Sequence, residues 1–305
     1  MNVLFESWWR ILVAALLATI TRVLMLQLLP LSPTFELPLS PISRAIGMIP
    51  TALSVVAASY LAIAIMLVLL RPNMTENRIG SVACCTLSFS AFWFVGVLET
   101  VPALGMALVP ELKVALADIV PLIVLGLVIG LRTPGISHRQ RIRRPVRYIS
   151  MVATIAAVYF VGRYFLYAVV HVNSGYAARE ASTFVWTLAM GLAIGTAYVL
   201  LREGLGEQDP APRGLWFGVA LFGVVWALFN FFMPIVFDMS FIKFHPAILN
   251  YVWRVAVDIL AVTIGVWWAE SAAAEEQDKP EQFPTAGICT PRRQGIARGP
   301  RRGQP

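Results

Sequence analysis

Six ionisable residues lie where a hydrophobic chain can least accommodate them. Arg22, Glu99, Asp118, Arg163, Arg254 and Asp258 each fall within or at the edge of a long apolar stretch. A charged side chain at the centre of a membrane helix costs roughly 2.5–3.5 kcal/mol on insertion scales, so such groups turn inward to meet one another or water. Their types permit two kinds of chemistry. The guanidinium groups of Arg22 and Arg163 can hold a carboxylate, a phosphate or a lipid headgroup by charge-assisted hydrogen bonds. Asp118 and Asp258 supply counter-charges, and either could carry a coupling proton.

Spacing adds neighbours to this set. Arg254 and Asp258 are four residues apart and share one helix face. Tyr159, Arg163, Tyr167 and His171 follow at steps of four, a polar stripe on one helix. Asn230 adds an amide at similar depth. The expected binding set is therefore Arg22, Asp118, Arg163, Tyr167, Asn230, Arg254 and Asp258, around a small anionic ligand in a cavity facing outward. The plainer alternative is a set of salt bridges that hold a helix bundle together.

Catalytic and metal chemistry find less support. There is no HExxH, no GxSG and no CxxC. Two aspartates on separate helices would suit an aspartyl intramembrane peptidase, but Ala117 and Val257 precede them where such motifs carry glycine. Cys84, Cys85 and Cys289 lack metal-ligand spacing. No cofactor and no metal is expected.

The elements that must position these residues are hydrophobic helices. The 305 residues are 58% hydrophobic and 13% charged, with a mean hydropathy of +0.73. A soluble chain carries about a quarter charged residues. A span needs about 20 mostly apolar residues, and eight segments qualify: 11–29, 46–70, 80–101, 114–131, 148–171, 182–201, 215–237 and 249–269. Pro50, Pro121 and Pro234 lie toward span ends, so no span shows an unwinding signal in its middle. The expected fold is all-α, a polytopic membrane protein.

Orientation follows from the stretch 132–147, RTPGISHRQRIRRPVR, which holds six arginines and no acid. Such a run stays cytoplasmic. Arg10, Arg71, Arg78, Arg202, Arg213 and the basic tail then fall on the same side, against only Arg44, Lys113, Arg179 and Lys243 on the other. Both termini are expected in the cytoplasm of a cell-membrane protein. Trp8, Trp9, Tyr148, Trp216, Trp267 and Trp268 fall at inner interfaces, and Tyr176 and Tyr251 at outer ones. The connector 31–49 is apolar and proline-rich, and is expected to hug the surface. The tail, 271–305, lacks periodicity and is expected to be disordered. The net charge of +7 is concentrated in the central connector and tail. It points to membrane lipids with anionic headgroups as partners, and not to nucleic acid.

The halves on either side of the connector, 1–131 and 148–270, match. Arg22 pairs with Arg163, Arg44 with Arg179, Arg71 with Arg202, Lys113 with Arg254 and Asp118 with Asp258, at offsets between 131 and 141. KVALADIV opens the fourth span and RVAVDIL the eighth. An even number of spans per half predicts two tandem four-helix repeats related by a pseudo-twofold axis along the membrane normal. Such a chain suits a transporter or flippase of a small anionic solute or lipid headgroup. The competing assignment is a non-catalytic sensor, scaffold or accessory subunit.

Overall fold

The computed structural model describes residues 2–29, 37–74, 78–132, 145–172, 175–206, 208–239 and 247–278. The central connector and most of the tail lie outside them. Among the described residues, eight helices are long and apolar enough to cross a membrane: Ser7–Leu28, Met48–Asn73, Ile79–Leu104, Leu108–Leu131, Arg147–Val170, Glu180–Leu205, Pro210–Val236 and Leu249–Glu275. They are the first to eighth spans below. Elsewhere the described backbone holds short helices, turns and one isolated bridge, Leu39 to Phe237. This is an integral, multi-pass helical membrane protein.

Close packing is set by small residues. On the sixth span, a β-carbon added to Gly191 or Gly195 would sit 2.9 Å from a carbonyl oxygen of Ala156 or Val152 on the fifth. Gly126 and Gly130 of the fourth span lie against Thr86 and Val82 of the third, and Gly214 and Gly218 of the seventh lie against Thr263 and Trp267 of the eighth. Without a hydrophobic force between helices in lipid, such close approach supplies the packing and van der Waals contact that association needs. The outward faces carry exposed large apolar residues such as Leu16, Val161 and Val185.

The helix neighbours form a regular set. The first span packs on the second and fourth, and the third on the fourth. The fifth packs on the sixth and eighth, and the seventh on the eighth. Between these groups the third span meets the sixth and the second meets the seventh. Where the second and sixth spans end, Asn73 Nδ2 donates to the Gly204 carbonyl at 3.1 Å.

Several boundaries differ from expectation. The fourth span begins at Leu108, because Pro110 is tolerated in a first turn and Glu111 there complements the helix dipole. Glu111 and Lys113 are thus helical, and Asp118 and Pro121 lie well inside the helix. The eighth helix continues to Asp278, through an alanine- and glutamate-rich run of strong helix formers. The fifth span widens into a π-helical turn at Leu166–Val170, and His171 closes it at φ 54°. That wider turn rotates His171 off the stripe begun by Tyr159 and Arg163 and leaves it exposed. Tyr251 is buried instead of anchoring at the interface. The connector after the first span lies against the end of the seventh: Ser40 Oγ donates to the Ile235 carbonyl at 2.6 Å, and Asp238 N to the Pro38 carbonyl at 2.7 Å.

Replacing Gly191 with valine should lower stability by about 1–3 kcal/mol through overpacking, because the obstruction is the Ala156 backbone and not a movable side chain. Thermal unfolding of the purified protein in detergent checks this. Alanine at exposed Val161 should leave the midpoint unchanged.

Candidate functional site

The buried charges assemble into two adjoining networks at the end of the bundle where the first span ends and the eighth begins. In the first, Arg22 Nε lies 2.5 Å from Asp118 Oδ1, and Trp93 Nε1 donates to Asp118 Oδ2 at 3.1 Å. This network joins the first, third and fourth spans. In the second, Arg163 Nη2 donates to Asp258 Oδ2 at 2.6 Å and Nη1 to Glu99 Oε1 at 3.0 Å. Its Nε donates to Tyr159 Oη at 3.1 Å, and its guanidinium lies 5.0 Å from the centre of the Trp186 ring. Trp226 Nε1 donates to Asp258 Oδ2 at 2.7 Å. Arg254 pairs with Glu99 and donates to Asn230 Oδ1 at 3.4 Å.

Local structure aims these groups inward. Glu99 sits in the turn between the helical segments ending at Val97 and starting at Thr100, a short piece that Gly105 closes at φ 76°. The break lets one carboxylate serve two arginines from other helices. Pairing here is compulsory. A single buried charge costs several kcal/mol, which only a close, hydrogen-bonded partner repays.

A cavity of about 210 Å³ opens beside these networks. Arg22, Asp118, Glu99, Arg254 and Asn230 line it, with Tyr60 and Glu111. Most of the remaining wall is apolar, including Val56, Val97, Phe229 and Met233. Arg163, Asp258 and Tyr167 do not line it. Arg163 and Asp258 are each 0% exposed and lie behind Glu99, while Tyr167 is half-buried on the widened turn against Tyr164. The seven expected residues thus divide into four that face the cavity and three that do not.

Among the cavity-lining residues, Tyr60 Oη and Arg22 Nη1 are buried donors with no hydrogen-bond partner among the described residues. Tyr60 is only 1% exposed, so its hydroxyl has the interior and the cavity as its surroundings. Glu111 accepts from Thr100 Oγ1 at 2.8 Å. Tyr60, Trp93, Glu111 and Trp226 were not singled out from the sequence. A tyrosine or tryptophan in an apolar span looks like packing, and Glu111 looked like a loop residue.

A third charged cluster also escaped sequence reasoning. At the opposite end, Glu270 accepts two bonds from Arg202, at 2.5 and 2.8 Å, one from Arg213 at 2.6 Å, and one from Tyr198. Arg213 also donates to the Gly206 carbonyl at 3.0 Å. The cluster ties the sixth, seventh and eighth spans together. Arg202 and Arg213 had looked like ordinary cytoplasmic flanks, and the signal available was Glu270 directly after the apolar run ending in Trp267 and Trp268.

No protein family, curated protein or solved structure matches this chain. Among the described residues, no group of histidine, cysteine and carboxylate side chains could hold a metal ion.

Arg163→Leu should cost about 3–5 kcal/mol, because it leaves Glu99 and Asp258 without their shared partner. The double substitution R163L/D258N should recover part of that loss. Chemical unfolding in detergent micelles measures both. Equal stability of the single variant and the native protein would mean the network contributes nothing.

Proposed function

We propose that the protein is a transporter or flippase in which Arg22 and Tyr60 seat the oxygen-bearing head of a small solute or lipid within the cavity. One observation carries this: Tyr60 and Arg22, each with a buried donor that has no partner among the described residues, line one cavity whose other walls are mostly apolar. Hydrogen-bonding capacity left unmet at a buried site is expensive, and a carboxylate or phosphate oxygen would satisfy both groups. The apolar wall suits a hydrocarbon body. Arg163 and Asp258 then act as structural supports that hold Glu99 and Arg254 in place.

The reading includes an internal repeat. Arg22–Asp118–Trp93 and Arg163–Asp258–Trp226 are the same triad, drawn from the first, fourth and third spans and from the fifth, eighth and seventh. Exchanging the halves also exchanges the third–sixth contact with the seventh–second contact. Val82 and Thr86 meet glycines of the fourth span as Gly214 and Gly218 meet Thr263 and Trp267 of the eighth, with the small residue on the other partner. These correspondences support a pseudo-twofold relation, and repeat interfaces are where transporters of this construction bind substrate. With the basic connector and tail in the cytoplasm, the cavity opens in the outer half of the bilayer and the basic segments lie against anionic lipid.

The alternative, a sensor or accessory subunit, draws on the ion pairs that Arg163 makes with Glu99 and Asp258 inside the second network. Reconstituted vesicles separate the two. The native protein should move a fluorescent phospholipid or an organic anion across the membrane. Arg22→Gln should reduce the rate by about tenfold or more, and Tyr60→Phe by several-fold, from lost charge-assisted and neutral hydrogen bonds. Tyr60→Phe should keep its unfolding midpoint, whereas Arg22→Gln strands the buried Asp118 and should lower it. Absence of movement by the native protein, with no ligand shifting its midpoint, supports the accessory role.

A further inference from the structure

The charge balance of the cavity narrows its ligand. Its wall carries two cationic side chains, Arg22 and Arg254, against three carboxylates, Glu99, Glu111 and Asp118. Arg22 pairs with Asp118 and Arg254 with Glu99. Glu111 has Thr100 Oγ1 as its hydrogen-bond partner and no cation within ion-pair distance among the described residues. The cavity therefore holds a formal excess of one negative charge, located at Glu111. A purely anionic guest would add a second negative charge in a medium of low dielectric constant, where like charges repel strongly.

Geometry separates the two ends of the site. Glu111, Val114 and Asp118 lie on one face of the fourth span, and all three line the cavity. Glu111 is seven residues from Asp118, about 10 Å along the helix axis. It lies nearer the end of the span at Leu108, while Asp118, Arg22 and Tyr60 lie deeper. The unpartnered donors are at the deep end and the uncompensated carboxylate is at the shallow end.

We infer that the ligand is zwitterionic, with an oxyanion at Arg22 and Tyr60 and an ammonium group at Glu111. This inference rests on the oxyanion seat proposed above and adds the cation site. It leaves the total charge of the filled cavity unchanged while neutralising Glu111 locally. The order of groups, ammonium shallow and oxyanion deep, is that of an aminophospholipid head in the outer leaflet. Apolar walls at Val56, Val97 and Phe229 suit its acyl chains. A free amino-phosphate of the same head chemistry would use the same two ends.

The test is ligand-induced thermal stabilisation of the full chain in neutral detergent. The probes are dihexanoyl phosphatidylethanolamine, dihexanoyl phosphatidylglycerol and free O-phosphoethanolamine. The native protein should bind the ethanolamine lipid about tenfold more tightly than the glycerol lipid, the size of one good charge-assisted contact. Glu111→Gln should abolish that preference, read as the difference between ligand-induced shifts of the same variant. Tyr60→Phe should weaken both lipids alike. Free O-phosphoethanolamine binding as well as the lipid supports the zwitterion and identifies a soluble source. A native preference for the glycerol lipid, equal binding of both, or a preference that survives Glu111→Gln overturns the inference. In those cases, a continuing effect of Tyr60→Phe leaves the oxyanion seat standing. Failure of the native protein to respond to any probe overturns both.

Discussion

Charge compensation in a medium that cannot solvate charge governs this structure. Arg163 is fully buried between Glu99 and Asp258, and each of its guanidinium nitrogens donates to a neighbouring side chain. Such an arrangement is costly to assemble and more costly to break, since removing one member strands the others. Its value lies in registry. The fifth and eighth spans and the turn at Glu99 can meet only with these groups opposed. The planar, multi-donor guanidinium suits this task where a lysine, a point charge, would not.

The two halves use that constraint differently. In the second half the triad is sealed, with Tyr159 beneath the arginine and Trp186 over it. In the first half Arg22 and Asp118 line the cavity, and Tyr60 adds a hydroxyl with no partner among the described residues. Glu99 joins them, bonded to Arg163 behind and to Arg254 at the wall.

The other end of the bundle is held by a separate device. Glu270 gathers Tyr198, Arg202 and Arg213 from the sixth and seventh spans. This clamp fixes the second half where its helices leave the apolar layer. In the first half, the buried Arg71 donates instead to the Gly130 carbonyl at 3.4 Å, a weak bond between the second and fourth spans. The cavity lies at the other end of the bundle, lined by residues of the first four spans and of the seventh and eighth.

Apolar length sufficed to mark from the sequence eight helices long and apolar enough to cross a membrane, because a spanning helix satisfies its whole backbone within one segment. The ionisable residues were equally legible, since each interrupts an apolar run. Their division into a wall and a sealed core was not. Residues at matching depth, such as Arg22 and Arg163, differ only in which neighbours cover them, and that depends on helix rotation. Periodicity could not show the wide turn that removes His171 from its stripe, nor the early helix start that brings Glu111 to the cavity. Tyr60 is one aromatic among many along the chain. Only the tertiary packing left its hydroxyl without a partner, because hydrogen bonding across helices is decided by which faces meet.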